Sequence, residues 1–305
     1  MNSIKHNRGD SMKRNWHKYN RNLVQRGSLT FFIDPKALKT RPQKKKKGRP
    51  QQFTSALIQL LLVLKNQYRL SYRALEGFSK SILPLLEINT HLPTYSLTCK
   101  RAASVANQLP KLSTRRPLVA LLDASGIKVC GEGEWKVKIH GVAKRRKWLK
   151  LHIAIDAQSQ EIIGLEVTHA HRADCSVGPT LIGKLPKSVH TVMADGAYDT
   201  ASCRNAISSM GATELIPPRK TAKYRNNLSQ RNQAISEMKG LGGDPLAREI
   251  WGKLTGYSRR SLVETAFSRL KRLYGDRLYS QSPNNQKIEV MIKCRMMNQM
   301  IAAVN

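Results

Sequence analysis

Three carboxylates carry the clearest chemical potential in this chain. Asp123 follows the apolar pair Leu121-Leu122 and precedes Ala124-Ser125-Gly126, and Asp195 follows Val192-Met193-Ala194 and precedes Gly196. Glu264 lies in the stretch Tyr257-Ser-Arg-Arg-Ser-Leu-Val-Glu-Thr-Ala-Phe-Ser-Arg-Leu-Lys-Arg-Leu-Tyr274. Each has an ordinary reading on its own. A carboxylate after an apolar strand commonly opens a loop, and one beside cations on a helix commonly makes surface ion pairs. The joint occurrence is less ordinary, because the chain holds only 20 acidic residues against 53 Lys and Arg. Clustered carboxylates repel one another unless they are protonated or bridged by a cation. Their natural occupants are Mg²⁺ or Mn²⁺, hard ions that take oxygen ligands and leave positions free for water and phosphate. Two such ions, roughly 4 Å apart, can activate a water or a 3′-hydroxyl on one side of a phosphodiester and stabilise the leaving oxygen on the other. Arg260 and Lys271 would then meet the non-bridging phosphate oxygens, adding charge where it develops in the transition state. His140, His152, His169 and His171 are rivals for a metal or base role; His152, within an apolar run, reads most simply as a core or face histidine.

The elements that must position these residues follow from periodicity. Leu262, Val263, Ala266, Phe267, Leu270, Leu273 and Tyr274 recur at helical spacing, which predicts one helix over 257–274 with Glu264 in a stripe of Tyr257, Arg260 and Lys271. Strands are predicted at 118–123, 147–156, 161–167, 189–194 and 213–216, with helices near 176–184, 200–210 and 286–300. The second strand turns nearly continuously apolar, as a central strand buried on both faces does. On this reading Asp123 and Asp195 end the first and fourth strands, at the rim where open sheets build sites. Meander first and helix–strand alternation afterwards gives an α/β architecture with a mixed sheet over 113–305. The segment between Pro218 and Tyr257 reads as loop-rich and basic.

Residues 51–112 carry a different pattern. Thr54 is placed to cap a helix with Ala56, Leu57, Leu60, Leu61 and Leu64 on one face, a second helix covers Tyr72 to Phe78, and Thr94 caps a third to about Gln108. The third carries Lys100 and Arg101. Three helices, the last of them basic, resemble a helix-turn-helix DNA-binding module, with a plain helical bundle as the alternative. Residues 1–50 hold 15 basic residues and only Asp10 and Asp34 on the acidic side, closing in Lys44-Lys-Lys-Lys-Gly-Arg49-Pro50. That composition gives a flexible arm, and Arg49 with its lysines suits DNA phosphates or a minor groove.

A net charge of +33 requires a polyanionic partner. Aromatic residues make up only 6%, so base stacking is not the main device, and phosphate neutralisation on double-stranded DNA fits better. Structured RNA shares that charge logic but has no need for three convergent carboxylates. No apolar stretch suits a bilayer or a signal peptide, which predicts no membrane partner and a cytoplasmic protein at the nucleoid. Five scattered cysteines without a CxxC pair read as reduced thiols.

These residues resemble the DDE transposases of bacterial insertion sequences, and within them the IS5 family. The hallmark around that family's third acid is Tyr, two residues, Arg, three residues, Glu, six residues, Lys; Tyr257, Arg260, Glu264 and Lys271 match it without a gap. The stretch from Asp123 to Gly141 is similar to the first-acid block, and Asp195-Gly-Ala-Tyr-Asp199 to the second. Asn15-Trp16, Arg26-Gly-Ser-Leu-Thr30, Gly48-Arg-Pro50 and Arg73-Ala-Leu-Glu-Gly-Phe78 also look like family pieces, although Ala124-Ser125 stands where Ser-Thr is commoner. The resemblance implies an RNase H-like catalytic domain behind a helical domain that binds terminal inverted repeats. It further implies divalent-metal-dependent strand cleavage and 3′-OH strand transfer. Asp123, Asp195 and Glu264 would be metal ligands, and Tyr257, Arg260 and Lys271 DNA-contacting residues. Acting on two element ends makes a homodimer or higher assembly the expected form. A catalytically inactive repressor of the same fold is the alternative.

Overall fold

The computed structural model describes residues 15–26, 52–85, 91–106, 118–129, 148–219, 221–226 and 229–302. Arg49 with its lysine run, the linker at 110–116, His140 and the part of the first-acid block after Val129 lie outside them. A mixed sheet organises the rest. Its strands are β1 (Val119–Val129), β2 (Trp148–Asp156), β3 (Ile162–His169), β4 (Thr191–Met193), β5 (Thr213–Leu215) and β6 (Arg277–Leu278). They lie in the order β3-β2-β1-β4-β5, with β6 joined to β1. The first two ladders are antiparallel, whereas β4 and β6 run parallel to β1 and β5 parallel to β4. This is the predicted α/β class with a mixed sheet and flanking helices.

β1 departs from expectation in length. The reading that Asp123 ends the strand is corrected: β1 runs on to Val129, and Asp123 lies inside it. The reason is tertiary. β2 pairs with β1 from Ala120↔Asp156 to Lys128↔Trp148, so Asp-Ala-Ser-Gly, poor strand formers alone, are held extended by a strong partner. Gly126 has a part in this, since a Cβ there would stand 3.1 Å from the Trp148 ring.

Strand alternation sorts the two faces. Ala120 and Leu122 pack with Ala154 against helices Asp174–Ile182 (α5) and Ala201–Ser209 (α6), which follow the four helices found among the described N-terminal residues. Leu121, Ile127, Leu151, Ile153 and Ile155 pack on the opposite face against Ser261–Tyr274 (α9) and Pro283–Ala302 (α10). α9 presents Val263, Ala266, Phe267, Leu270 and Tyr274 to the sheet, and each such buried side chain contributes roughly 1.5–3 kcal/mol. β2 is buried from Leu151 through Asp156, as a central strand should be.

Further corrections concern 217–274. The stretch read as loop contains helices Ser229–Gly240 (α7) and Pro245–Leu254 (α8). α7 has little apolar content and is fixed from outside, through Ala234, Ile235 and a 2.8 Å bond from Trp251 Nε1 to Glu237. α8 did carry a signal: Asp244 accepts from the Ala247 amide at 2.6 Å and Pro245 opens the helix. The single helix over 257–274 is two pieces, a 3₁₀ turn Tyr257–Arg260 and then α9. Gly256, at φ +71°, reverses the chain just before it, and Tyr257 is pinned by its ring against Trp251, centroids 5.6 Å apart.

The N-terminal helices are α1 (Trp16–Arg26), α2 (Ser55–Gln67), α3 (Tyr72–Leu85) and α4 (Tyr95–Ala106). α1 lies within the segment expected to be a flexible arm. Thr54 caps α2 as predicted, accepting from the Leu57 amide at 3.2 Å, whereas α3 continues to Leu85 with Pro84 accommodated in its last turn. These helices share one apolar core with α9, α10 and the sheet: Leu57, Leu61 and Leu75 belong to the cluster that holds Leu121, Phe267 and Met297. Lys65 of α2 is buried beside Glu289, whose carboxylate meets Lys293 at 2.9 Å. Cys99, Cys175, Cys203 and Cys294 are not in disulfides, and among the described residues no helix is long and apolar enough to cross a membrane.

Candidate active site

The parallel ladder between β1 and β4 ends at Leu121↔Met193. Asp123 stands two residues further along β1, and Asp195 two residues past the end of β4, where the chain leaves the sheet. Leu121 and Ile127 face α9, so by alternation Asp123 and Ser125 face it too. β2 occupies one edge of β1, so β4 and β6 share the other, and β6 joins only at Lys128↔Arg277 and Val129↔Leu278. The edge between Leu122 and Ile127 thus lies in a split of the sheet, and the acid pair sits at its mouth.

Local bonds fix each acid. Asp123 Oδ1 accepts from the Ala124 amide at 2.8 Å. Asp195 caps the 3₁₀ turn Gly196–Tyr198, accepting from the Ala197 amide at 2.9 Å. Glu264 rises from the first turn of α9 with its side chain 57% exposed. Arg260 joins two of them: Nη1 lies 3.4 Å from Asp123 Oδ2 and Nη2 donates to Glu264. Tyr257 donates its hydroxyl to the Ala194 carbonyl at 3.2 Å, which ties the turn before α9 to the residue preceding Asp195. Lys271 Nζ donates to Ser125 Oγ at 2.7 Å, two residues along the strand from Asp123.

The electrostatics show the acids acting on one another. Asp123 is pushed above the usual carboxylate range, first by burial and further by the charges of Asp195 and Glu264, while the Ala124 amide and Arg260 pull it down. Burial pushes the Tyr257 phenol up to about 12, with Asp195 and Asp123 adding to it and Arg260 opposing. Burial would lower Arg260, but Tyr257, Asp123, Glu264 and Asp195 outweigh it and hold the guanidinium charged. Among the described residues, no three His, Cys, Asp or Glu side chains converge into a ready coordination shell. The donor chemistry nonetheless fits a hard divalent cation: three carboxylates, one of them with its proton affinity raised by burial and further by the other two.

The remaining candidates are dispersed. Lys100 is exposed on α4. Arg101 turns inward, donating from Nη1 to the Phe53 carbonyl at 2.6 Å and from Nη2 to Ser55 at 3.4 Å, so it clamps α4 to the start of α2. His152 is fully buried, with Nε2 2.9 Å from Thr168 Oγ1 and Nδ1 3.4 Å from Asp174. It stands opposite Ala124 and belongs to the face away from α9. His169 and His171 stack on each other, centroids 5.8 Å apart.

Sequence reasoning missed three residues bearing on the site. Ser125 is the partner of Lys271, and its alternation with Asp123 was a usable signal. Arg204 and Arg231 both bond Asp199, four residues past Asp195, at 2.9 and 2.8 Å; nothing in sequence marks either as buried. A family model described as a transposase DDE domain matches residues 114–299, a span holding all three acids, and a second model of the same description matches residues 24–132. The first covers more than half of the 305 residues, so the chain belongs to the DDE transposases.

Proposed function

We propose that this transposase is of the IS5 type, that it binds the terminal inverted repeats of an insertion sequence, and that Asp123, Asp195 and Glu264 hold divalent metal at the reacting phosphate. The observation that carries this reading is the register at Leu121↔Met193. It supports the reading by bringing Asp123 and the turn that opens at Asp195 past the same end of that ladder, while Arg260 contacts both Glu264 and Asp123. Mg²⁺ or Mn²⁺ held there supplies Lewis acidity and an activated hydroxyl for phosphodiester cleavage and 3′-OH strand transfer. The chain's own residues do the rest. Arg260 and Lys271 neutralise phosphate oxygens, Tyr257 fixes the entry to the Asp195 turn, and Ser125 aims Lys271. The unbroken spacing of Tyr257, Arg260, Glu264 and Lys271 supports the IS5 assignment. Two copies on paired ends, with α4 and the basic N-terminal segment including Arg49 on the duplex, complete the proposal.

Purified protein and duplex DNA bearing the element ends test it. We expect nicking at the 3′ ends that needs Mg²⁺ or Mn²⁺, is abolished by chelator, and is followed by joined product when target DNA is added. End-specific binding with no nicking in either metal would leave the repressor reading instead. In the same system Lys100→Ala is expected to lower the salt slope of end binding by about one. Arg101→Ala is expected to act through stability, because its guanidinium is spent on Phe53 and Ser55. An unchanged slope for Lys100→Ala moves the DNA-reading surface off α4.

A further inference from the structure

Behind Asp195 lies a buried ionic cluster that the chemistry proposed above does not use. The Asp199 and Arg204 side chains are each 1% exposed, and that of Arg231 is 4% exposed. Asp199 Oδ1 accepts from Arg204 Nε at 2.9 Å and Arg231 Nε at 2.8 Å, and its Oδ2 accepts from the Arg219 amide at 3.1 Å. Arg204 also donates to Glu214, and from Nη2 to the Ile216 carbonyl at 3.0 Å; Arg231 Nη1 donates to the Lys223 carbonyl at 2.7 Å. Two anions and two guanidinium groups therefore balance in the interior and bind four segments together: the Asp195 turn, α6, the chain after β5, and α7. Burying such a cluster contributes little net stability compared with apolar side chains of the same size, so its distinctive product is position.

The link from Asp199 back to Asp195 is short and stiff. Tyr198 and Asp199 donate their amides to the carbonyls of Asp195 and Gly196 at 3.1 and 3.2 Å, closing the 3₁₀ turn. Its floor is tight as well: a Cβ at Gly178 would stand 2.6 Å from Cys203 Sγ and 3.1 Å from the Tyr198 ring. A shift of the Asp199 carboxylate therefore has to move Asp195.

We propose that Asp199, Arg204 and Arg231 are positioning residues that set the Asp195 carboxylate for metal, with Arg231 as a strut from α7 to the reacting centre. This rests on the reading of Asp195 as a metal ligand. Arg231→Met is the discriminating variant, because it removes the strut and leaves Asp199 its bonds from Arg204 and the Arg219 amide. Partners that orient a ligating carboxylate change metal affinity or activity by about 10–100-fold. We therefore expect the Mn²⁺ half-saturation for nicking to rise about tenfold or more, with kcat reduced, DNA half-saturation within about twofold of the parent, and the loss partly recovered at excess Mn²⁺. A readout independent of activity is Fe²⁺-directed hydroxyl-radical cutting of the full-length protein, which should weaken beside Asp195. Arg231→Lys keeps the charge and one donor and should fall between. Unchanged metal dependence and an unchanged cutting pattern in folded Arg231→Met overturn the proposal. If that variant does not fold, the same two measurements on Arg231→Lys decide it, parental values overturning the idea. Asp195→Asn is the control: if it still directs cutting at its own turn, the metal-ligand assignment has failed rather than the strut.

Discussion

Glu264→Gln is expected to lower strand cleavage by about three orders of magnitude while leaving end binding within about threefold. The substitution keeps shape and removes one of the three charges proposed to hold a divalent ion. Glu264 rises into solvent from the first turn of α9 and takes no part in the apolar contacts of Val263, Ala266, Phe267 and Leu270, so the fold should not notice the change. Two side effects are predictable in sign. Asp123 should titrate lower, since the Glu264 charge helps push it up. Arg260 should lean more on Asp123, its other acidic contact. Single-turnover nicking of end-bearing duplex, beside a gel-shift of the same duplex, checks both halves. Parental cleavage by this variant would remove Glu264 from the site.

Arg204→Met is expected to cost about 3–5 kcal/mol of stability, because it leaves Asp199 and Glu214 buried without their shared guanidinium. Urea unfolding measures it, and a cost below about 1 kcal/mol would show that the cluster relaxes around the loss. The pH dependence has a definite sign. Burial alone would raise Asp199, but hydrogen bonds from Arg231 and the Arg219 amide and the charges of both arginines hold it below the usual carboxylate value. Its contribution is therefore complete above the unfolded carboxylate pKa of about 3.9 and is lost as pH falls through the lower folded value. Arg204→Met should flatten that acid limb relative to the parent.

The parts legible in sequence were those in which a residue's neighbours along the chain decide its fate. Thr54 and Thr94 announce helix starts because the cap bond reaches only three residues ahead. Asp123, Asp195 and Glu264 stand out because each interrupts or flanks a local apolar pattern. The length of β1 was not legible, since its second half is held by β2 and β6 rather than by its own propensities. Nor was the destination of arginines. Arg101 is tied to Phe53, 48 residues away, and Arg231 finds Asp199 across 32 residues. A guanidinium looks alike in sequence whether it meets phosphate or a buried carboxylate, and only the fold chooses.

The interleaving of α2 and α4 with α10 has a consequence for biogenesis. Part of the seat for residues 55–106 is built from residues 283–302, so the early helices cannot settle while a ribosome is still making that stretch. A nascent chain carries Leu57, Leu61 and Leu75 without their finished cover until the distant C-terminal portion can dock on them. In a protein built this way the early helices and the sheet that carries Asp123 complete their shared packing together.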